Sequence, residues 1–189
     1  MLGEFLTEQG YDFVHTREPG GTPVSEQVRR VILDPANHMG IIAEALLYAA
    51  ARAELVAQVI RPALDAGKVV ICDRFVDSSL VYQGMAGGLP VEWVAQINEM
   101  ATGGLKPHRT LLFDLPAEEA MRRKMAQTGA TGLDRLEGRD AAYYQAVRDG
   151  YLELAQAEPR RIKVLNAAQP VDVLQAEVRR LVLEMLPRR

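Results

Sequence analysis

The chain has 189 residues, 48 % of them hydrophobic, with 22 basic against 25 acidic side chains for a net charge of −3. That balance excludes a disordered chain and a charge-driven nucleic-acid binder. The single cysteine, Cys72, excludes a disulfide framework, and no apolar run reaches the roughly 20 residues of a membrane helix. A single domain over 1–189 is expected, soluble and cytoplasmic, since Met1 to Phe5 lacks the features of a signal peptide.

Residues 1–9 read as the last turns of a helix, with Leu2, Phe5 and Leu6 on one face and Gly10 as the stop. A short β-rich run, Tyr11 to Thr16, leads into the turn-forming Arg17-Glu-Pro-Gly-Gly-Thr22. Ser25 to Leu33 is helical, as is the long stretch Glu44 to Ala66, which Pro62 is expected to kink. Lys68 to Asp73 and Thr110 to Leu115 are apolar runs of strand length, the pattern of strands buried on both faces. Helices follow over Pro90 to Ala101, after Pro116, over Ala141 to Ala157 and over Val171 to Leu186, with a last strand at Arg161 to Leu165. Residues 128–138 are polar and glycine-bearing, hence a loop. Strands alternating with helices predict one parallel sheet with helices on both faces, a three-layer α/β fold.

Ligands in such sheets bind beyond the carboxyl ends of the strands. Those ends read Thr16-Arg17-Glu18, Asp73-Arg74-Phe75 and Phe113-Asp114-Leu115. Asp73-Arg74 is either a solvated strand end or an arginine fork for phosphate beside a carboxylate for Mg²⁺. Composition leaves both open. Gly20 and Gly21 make a plain turn, although glycines also let backbone amides approach an anion. Tyr48 and Arg52 share a helical face, as a core aromatic with a surface arginine or as a plate and donor for a base. Ser79 and Gln83 are likewise four apart, which an exposed helical turn would also produce. Arg122, Arg123, Lys124, Arg135 and Arg139 are offset by Glu118, Glu119, Asp134, Glu137 and Asp140, the pattern of a solvated helix and loop. His15, His38 and His108 are scattered and are read as no metal site.

In combination these segments resemble bacterial thymidylate kinases. The matching pieces are Thr16 to Thr22, Leu46-Leu-Tyr-Ala-Ala-Ala-Arg52, Ile60 to Leu64, Cys72-Asp-Arg-Phe-Val-Asp-Ser-Ser-Leu-Val-Tyr-Gln-Gly84, Leu105 to Pro107, Leu112 to Leu115, Leu133 to Arg135 and Gly150 to Ala155. The resemblance implies a P-loop nucleoside monophosphate kinase fold and transfer of the γ-phosphoryl group of ATP to dTMP, with Mg²⁺. It implies that Arg74 holds the dTMP phosphate and approaches the transferred group, and that Asp73 serves the metal and its waters. Arg17 and Glu18 would line the phosphate and sugar side. Tyr48 would stack on thymine, with Arg52, Ser79 and Gln83 at its edge, and Tyr82 would pack under the deoxyribose. Arg135, in a lid-like segment over 121–140, would reach the ATP phosphates. A homodimer through the Glu44–Ala66 helix is also implied.

One departure stands out. The family's phosphate-binding loop, G-x-x-x-x-G-K-[ST], occurs nowhere in the 189 residues. By the family pattern Met1 falls roughly two dozen residues late. The expectation is a chain without the first, central strand, from a missing N-terminus rather than a reorganised sheet. The alternative to a kinase is therefore a non-catalytic nucleotide-binding protein.

Overall fold

A computed structural model describes residues 1–128, 135 and 140–187. In chain order the elements are α1 (Leu2–Glu8), β1 (Phe13–Arg17), α2 (Pro23–Leu33), α3 (Ile41–Leu55), a π-helical segment (Val56–Ile60), α4 (Arg61–Asp65) and β2 (Val69–Asp73). Then come α5 (Val76–Ser79), a second π-helical segment (Leu80–Met85), α6 (Val91–Thr102), β3 (Thr110–Asp114), α7 (Ala117–Thr128), α8 (Ala141–Ala157), β4 (Ile162–Asn166) and α9 (Val171–Leu183). The expected lid-like segment 121–140 thus begins as the end of α7. Asp134, Glu137 and Arg139 lie outside the described residues.

The strands are parallel, as expected, but they do not form one ladder. β1 pairs with β2 and β3 with β4, in two separate two-stranded sheets. Register runs Phe13↔Val69 to Arg17↔Asp73 and Thr110↔Ile162 to Asp114↔Asn166, so in each pair the carboxyl ends are flush. The single sheet anticipated from the strand–helix rhythm is therefore replaced by two pairs, because among the described residues no backbone bond joins β2 to β3.

Side-chain packing joins what the backbone leaves apart. Val69 and Ile71 of β2 and Leu111 of β3 pack against one cluster, with Leu6, Leu165, Val178, Leu181 and Val182 buried in it beneath α1 and α9. Alternate residues Val70 and Cys72 turn to the opposite face, against Leu55, Val56 and Ile60. Both faces of β2 are thus covered, which explains its unbroken apolar run. Leu6 and Leu55 are fully buried, and truncating such a leucine to alanine costs about 2–5 kcal/mol. Asp77, at the start of α5, adds a polar tie. Its carboxylate accepts from Arg161 at 2.8 Å and from Thr110 Oγ1 at 2.8 Å, linking the end of the first pair to the start of the second.

Local sequence explains the helix boundaries. Pro23 occupies the first turn of α2, where a missing N–H is harmless, and the Thr22 hydroxyl caps Ser25 N at 3.1 Å. Ser25 Oγ then donates to Ala51 O at 2.8 Å and fastens α2 to α3. The kink expected at Pro62 is absorbed upstream. Proline supplies no N–H and its ring crowds the preceding turn, and the helix widens to π geometry over Val56–Ile60 before resuming as α4.

Candidate functional site

The flush strand ends bring Arg17 and Asp73 side by side, with Arg74 next in the chain. Arg17 donates from Nη2 to both oxygens of Glu26, at 3.0 and 3.2 Å, and so lies against the first turn of α2. Glu26 Oε1 also accepts from Gly21 N at 2.9 Å. Gly21 sits at φ +85, where a Cβ would stand 2.5 Å from Thr16 Oγ1, so only glycine fits this turn. The Asp73 side chain is exposed, and among the described residues no side chain hydrogen-bonds to it.

Arg74 is the one non-glycine residue with positive φ, at 65°, among the described residues. Such a conformation costs of order 1–2 kcal/mol and concentrates at functional sites. Here it turns the side chain from the strand end onto the second π-helical segment, with the guanidinium carbon 5.0 Å from the Tyr82 ring centroid. The Tyr82 ring meets Tyr143 and Tyr151 edge to face at 6.4 and 6.2 Å. Desolvation opposes the Arg74 charge, but the Tyr82 and Tyr151 hydroxyls and the Asp73 carboxylate outweigh it and hold the guanidinium charged. Burial pushes the Tyr151 phenol up to about 12, so it stays protonated, its hydroxyl 2.7 Å from Ser78 Oγ.

Arg74, Tyr82, Leu112, Met121, Arg148 and Tyr151 lie around a cavity of ≈ 380 Å³ above the carboxyl end of β3. On its far wall Arg148 grips Asp114 in a fork, Nε to Oδ1 at 2.7 Å and Nη2 to Oδ2 at 3.0 Å. Those hydrogen bonds hold the Asp114 carboxyl below its ordinary value. The cavity thus offers two guanidinium groups, one pinned by a carboxylate and one stacked on a ring.

The second part of the site is a stripe along α3. Glu44, Tyr48 and Arg52 stand at successive i, i+4 positions on one face. Arg52 is 1 % exposed. Its Nε and Nη2 donate to the Glu18 carboxylate at 2.8 and 2.5 Å, and Nη1 donates to Ser79 Oγ at 3.0 Å and Asn98 Oδ1 at 2.5 Å. Burial raises the Glu18 carboxyl against the pull of Arg52. Gln83 donates from Nε2 to Glu44 Oε1 at 2.9 Å, and Glu44 Oε2 accepts from Arg135 Nη2 at 2.5 Å. Ser79 ends α5 and Gln83 follows in the π-helical segment Leu80–Met85, after which the chain turns tightly. A Cβ at Gly87 would sit 2.5 Å from Tyr82 O and 2.6 Å from Gln83 O.

The predicted residues therefore fall into two groups. Glu18, Arg52, Ser79 and Gln83 form a buried polar cluster beside half-buried Tyr48, while Arg17, Asp73 and Arg74 stand at the strand ends, with Tyr82 of the second π-helical segment against Arg74. Arg135 lies with the first group. Its backbone N donates to Leu33 O at 3.2 Å and its Nε to Ile32 O at 2.7 Å, which places it beside α2 and α3. Glu44, Asn98, Tyr151 and Arg148 were not expected. Glu44 was legible as a third member of the Tyr48–Arg52 spacing, whereas Asn98 comes from α6 and no local pattern marks it.

Among the described residues no three His, Cys, Asp or Glu side chains cluster as a metal site. Mg²⁺ does not require one, since it keeps several waters and binds through one or two carboxylates together with substrate phosphates. The exposed Asp73 carboxylate, next to Arg74 and without a side-chain hydrogen bond among the described residues, fits that demand. Asp114 is committed to Arg148.

The model of the family described as thymidylate kinase matches residues 1–178. The thymidylate kinase of Symbiobacterium thermophilum is 60 % identical over 190 aligned positions, covering 100 % of this chain and 87 % of that protein. Those of Exiguobacterium sibiricum and Pseudomonas putida strain W619 are 48 % and 47 % identical, over 100 % and 99 % of this chain and 88 % and 89 % of theirs. The chain belongs to the thymidylate kinase family. Membership places it among the nucleoside monophosphate kinases and assigns a P-loop NTPase-like α/β fold, which accords with parallel strands flanked by helices. Among the described residues no helix is long and apolar enough to cross a membrane.

Proposed function

We propose that this chain carries the nucleotide-monophosphate side of a cytoplasmic dTMP kinase. An oxygen of the dTMP phosphate attacks the γ-phosphorus of ATP, the bond to the β,γ-bridging oxygen breaks, and dTDP and ADP result. Arg74 carries the reading. A guanidinium carried on a backbone at φ 65°, set over Tyr82 beside the exposed Asp73 carboxylate and at the edge of a ≈ 380 Å³ cavity, is placed for an anion. Phosphoryl transfer depends mainly on positioning and on neutralising charge, and such an arginine contributes on the order of 10³ in rate or more.

In this reading Arg74 receives the dTMP phosphate and the transferred group, with Arg17 at its margin. Tyr48 stacks on thymine, and Arg52, Ser79 and Gln83 address its edge. Glu18 keeps Arg52 oriented at the sugar side, and Tyr82 packs near the deoxyribose. The resemblance would send Arg135 to the ATP phosphates, for which it would exchange the Glu44 carboxylate that it binds in the structure. Mg²⁺, when bound, would be held through Asp73 and its waters and would draw off charge from the phosphates. Packing of both strand pairs on one apolar cluster supports reading them as parts of one sheet. Exposed Ile42 and Leu46 on α3, with Trp93 and Met100 on α6, support a homodimer through these helices.

A second reading is favoured by one observation: no G-x-x-x-x-G-K-[ST] occurs among the 189 residues. The backbone cradle and lysine that this loop offers ATP are not supplied here, and the chain would then bind dTMP without transfer. Titration calorimetry with dTMP and with ATP separately, alongside chromatographic assay of dTDP, separates the two. Binding of dTMP with turnover supports the first, and binding of dTMP alone the second. No dTMP binding refutes both.

A further inference from the structure

Glu44 is an acidic side chain only 1 % exposed, on the same α3 stripe as Tyr48 and Arg52. Each of its oxygens has one partner, the Gln83 amide nitrogen at 2.9 Å and the Arg135 guanidinium at 2.5 Å. Arg135 supplies the counter-charge that a buried carboxylate requires. An ionised carboxylate only accepts hydrogen bonds. The Gln83 amide, 2 % exposed, must therefore turn its nitrogen to Glu44 and its carbonyl oxygen the other way. Among the described residues nothing donates to that oxygen.

The neighbouring group is complementary. Ser79, one turn before Gln83, binds Arg52 Nη1. A guanidinium has five N–H donors, and those directed to Glu18, Ser79 and Asn98 occupy four of them, leaving one on Nη2. In the base-site reading these two groups offer the base a fixed acceptor and a spare donor. A pyrimidine-2,4-dione presents a ring N–H donor at N3 flanked by carbonyl acceptors. A 4-aminopyrimidine presents a bare N3 acceptor, which would meet the Gln83 carbonyl lone pair.

We infer that Glu44 is a positioning residue for base choice: by locking the Gln83 amide with its nitrogen on Glu44 and its oxygen free for the base, it selects a 4-oxo over a 4-amino pyrimidine nucleotide. The inference rests on the base-site reading of Tyr48, Arg52 and Gln83. Replacing Glu44 by glutamine keeps the shape but lets the Gln83 amide rotate, because a carboxamide can meet either end of it.

Calorimetric affinities for dTMP and dCMP test this without reliance on turnover, with circular dichroism to confirm folding. In E44Q the dTMP-to-dCMP affinity ratio is expected to fall about tenfold, the scale of one hydrogen bond gained by one ligand and lost by the other. E44D, which keeps the charge, retains most of the ratio. The exchange variant E44Q/Q83E swaps the two groups, so that the amide on α3 donates to the carboxylate and a carboxylate oxygen still faces the pocket. It restores preference for dTMP. Equal weakening of both ligands in E44Q, or an unchanged ratio, overturns the inference while leaving the base site intact. If E44Q does not fold, failure of the exchange variant to prefer dTMP overturns it equally. Indifference of dTMP binding to Y48A, by contrast, refutes the base-site reading and the inference with it.

Discussion

Replacing Glu18 by alanine removes the acceptor for Nε and Nη2 of Arg52, leaving the guanidinium with Ser79 and Asn98 alone. Both side chains of the pair are at most 3 % exposed, so water does not take over the vacated contacts. Breaking a buried pair on one side costs about 3–5 kcal/mol, a large share of the roughly 5–15 kcal/mol by which a typical domain is stable. An exposed pair offers the contrast. Arg180–Glu184, 60 % and 47 % exposed, is expected to contribute about 0.3–0.5 kcal/mol. Urea denaturation followed by circular dichroism measures both. E18A should lower unfolding free energy by about 3 kcal/mol or more, whereas R180A should shift it barely. The double variant E18A/R52M removes the orphaned charge and should recover about 2 kcal/mol relative to the sum of the single changes. A loss below about 1 kcal/mol in E18A, or additive single effects, would show that solvent reaches the cluster and refute the argument.

Two further outcomes follow from the geometry. R74G and R74A both abolish the guanidinium, but glycine adopts φ 65° without strain, so R74G should be more stable than R74A by about 1 kcal/mol. Equal melting temperatures would sink the claim of backbone strain. The Tyr151 phenol, pushed up to about 12 by burial, binds its proton more tightly folded than unfolded, where the ordinary value is about 10. Its contribution is therefore complete below pH ~10 and lost as pH rises through the folded value, amounting to about 3 kcal/mol. Urea midpoints at pH 9.5 and 11.5 (roughly the two sides of that window) should fall further in wild type than in Y151F, and equal falls would contradict the assignment.

Order and direction of the elements were legible before any coordinates. Apolar runs of strand length, proline at helix starts and glycine at stops are local signals, and the structure returns that succession with boundaries moved by a few residues, adding only α5 and the second π-helical segment, which the sequence reading left unassigned. The Tyr48–Arg52 spacing was legible too, since 3.6-residue periodicity puts such pairs on one face. How the strands associate was not. Pairing depends on which backbone edges meet in space, and the composition of Val69 to Asp73 is the same with one neighbour or two.

The sequence by itself determined the family, through Thr16 to Thr22 and Cys72 to Gly84, and the charged residues that end three of the four strands. Only the tertiary structure decided what those charges touch. It joined Arg52 to Glu18, Ser79 and Asn98 from four separate segments, laid Arg74 on Tyr82, and set Glu44 between Gln83 and Arg135. The reason is range. Periodicity and capping act within a few residues, whereas a buried charge takes whichever partner the packing of distant elements brings to it, and a side chain's hydrogen-bond direction is fixed only once that partner is in place.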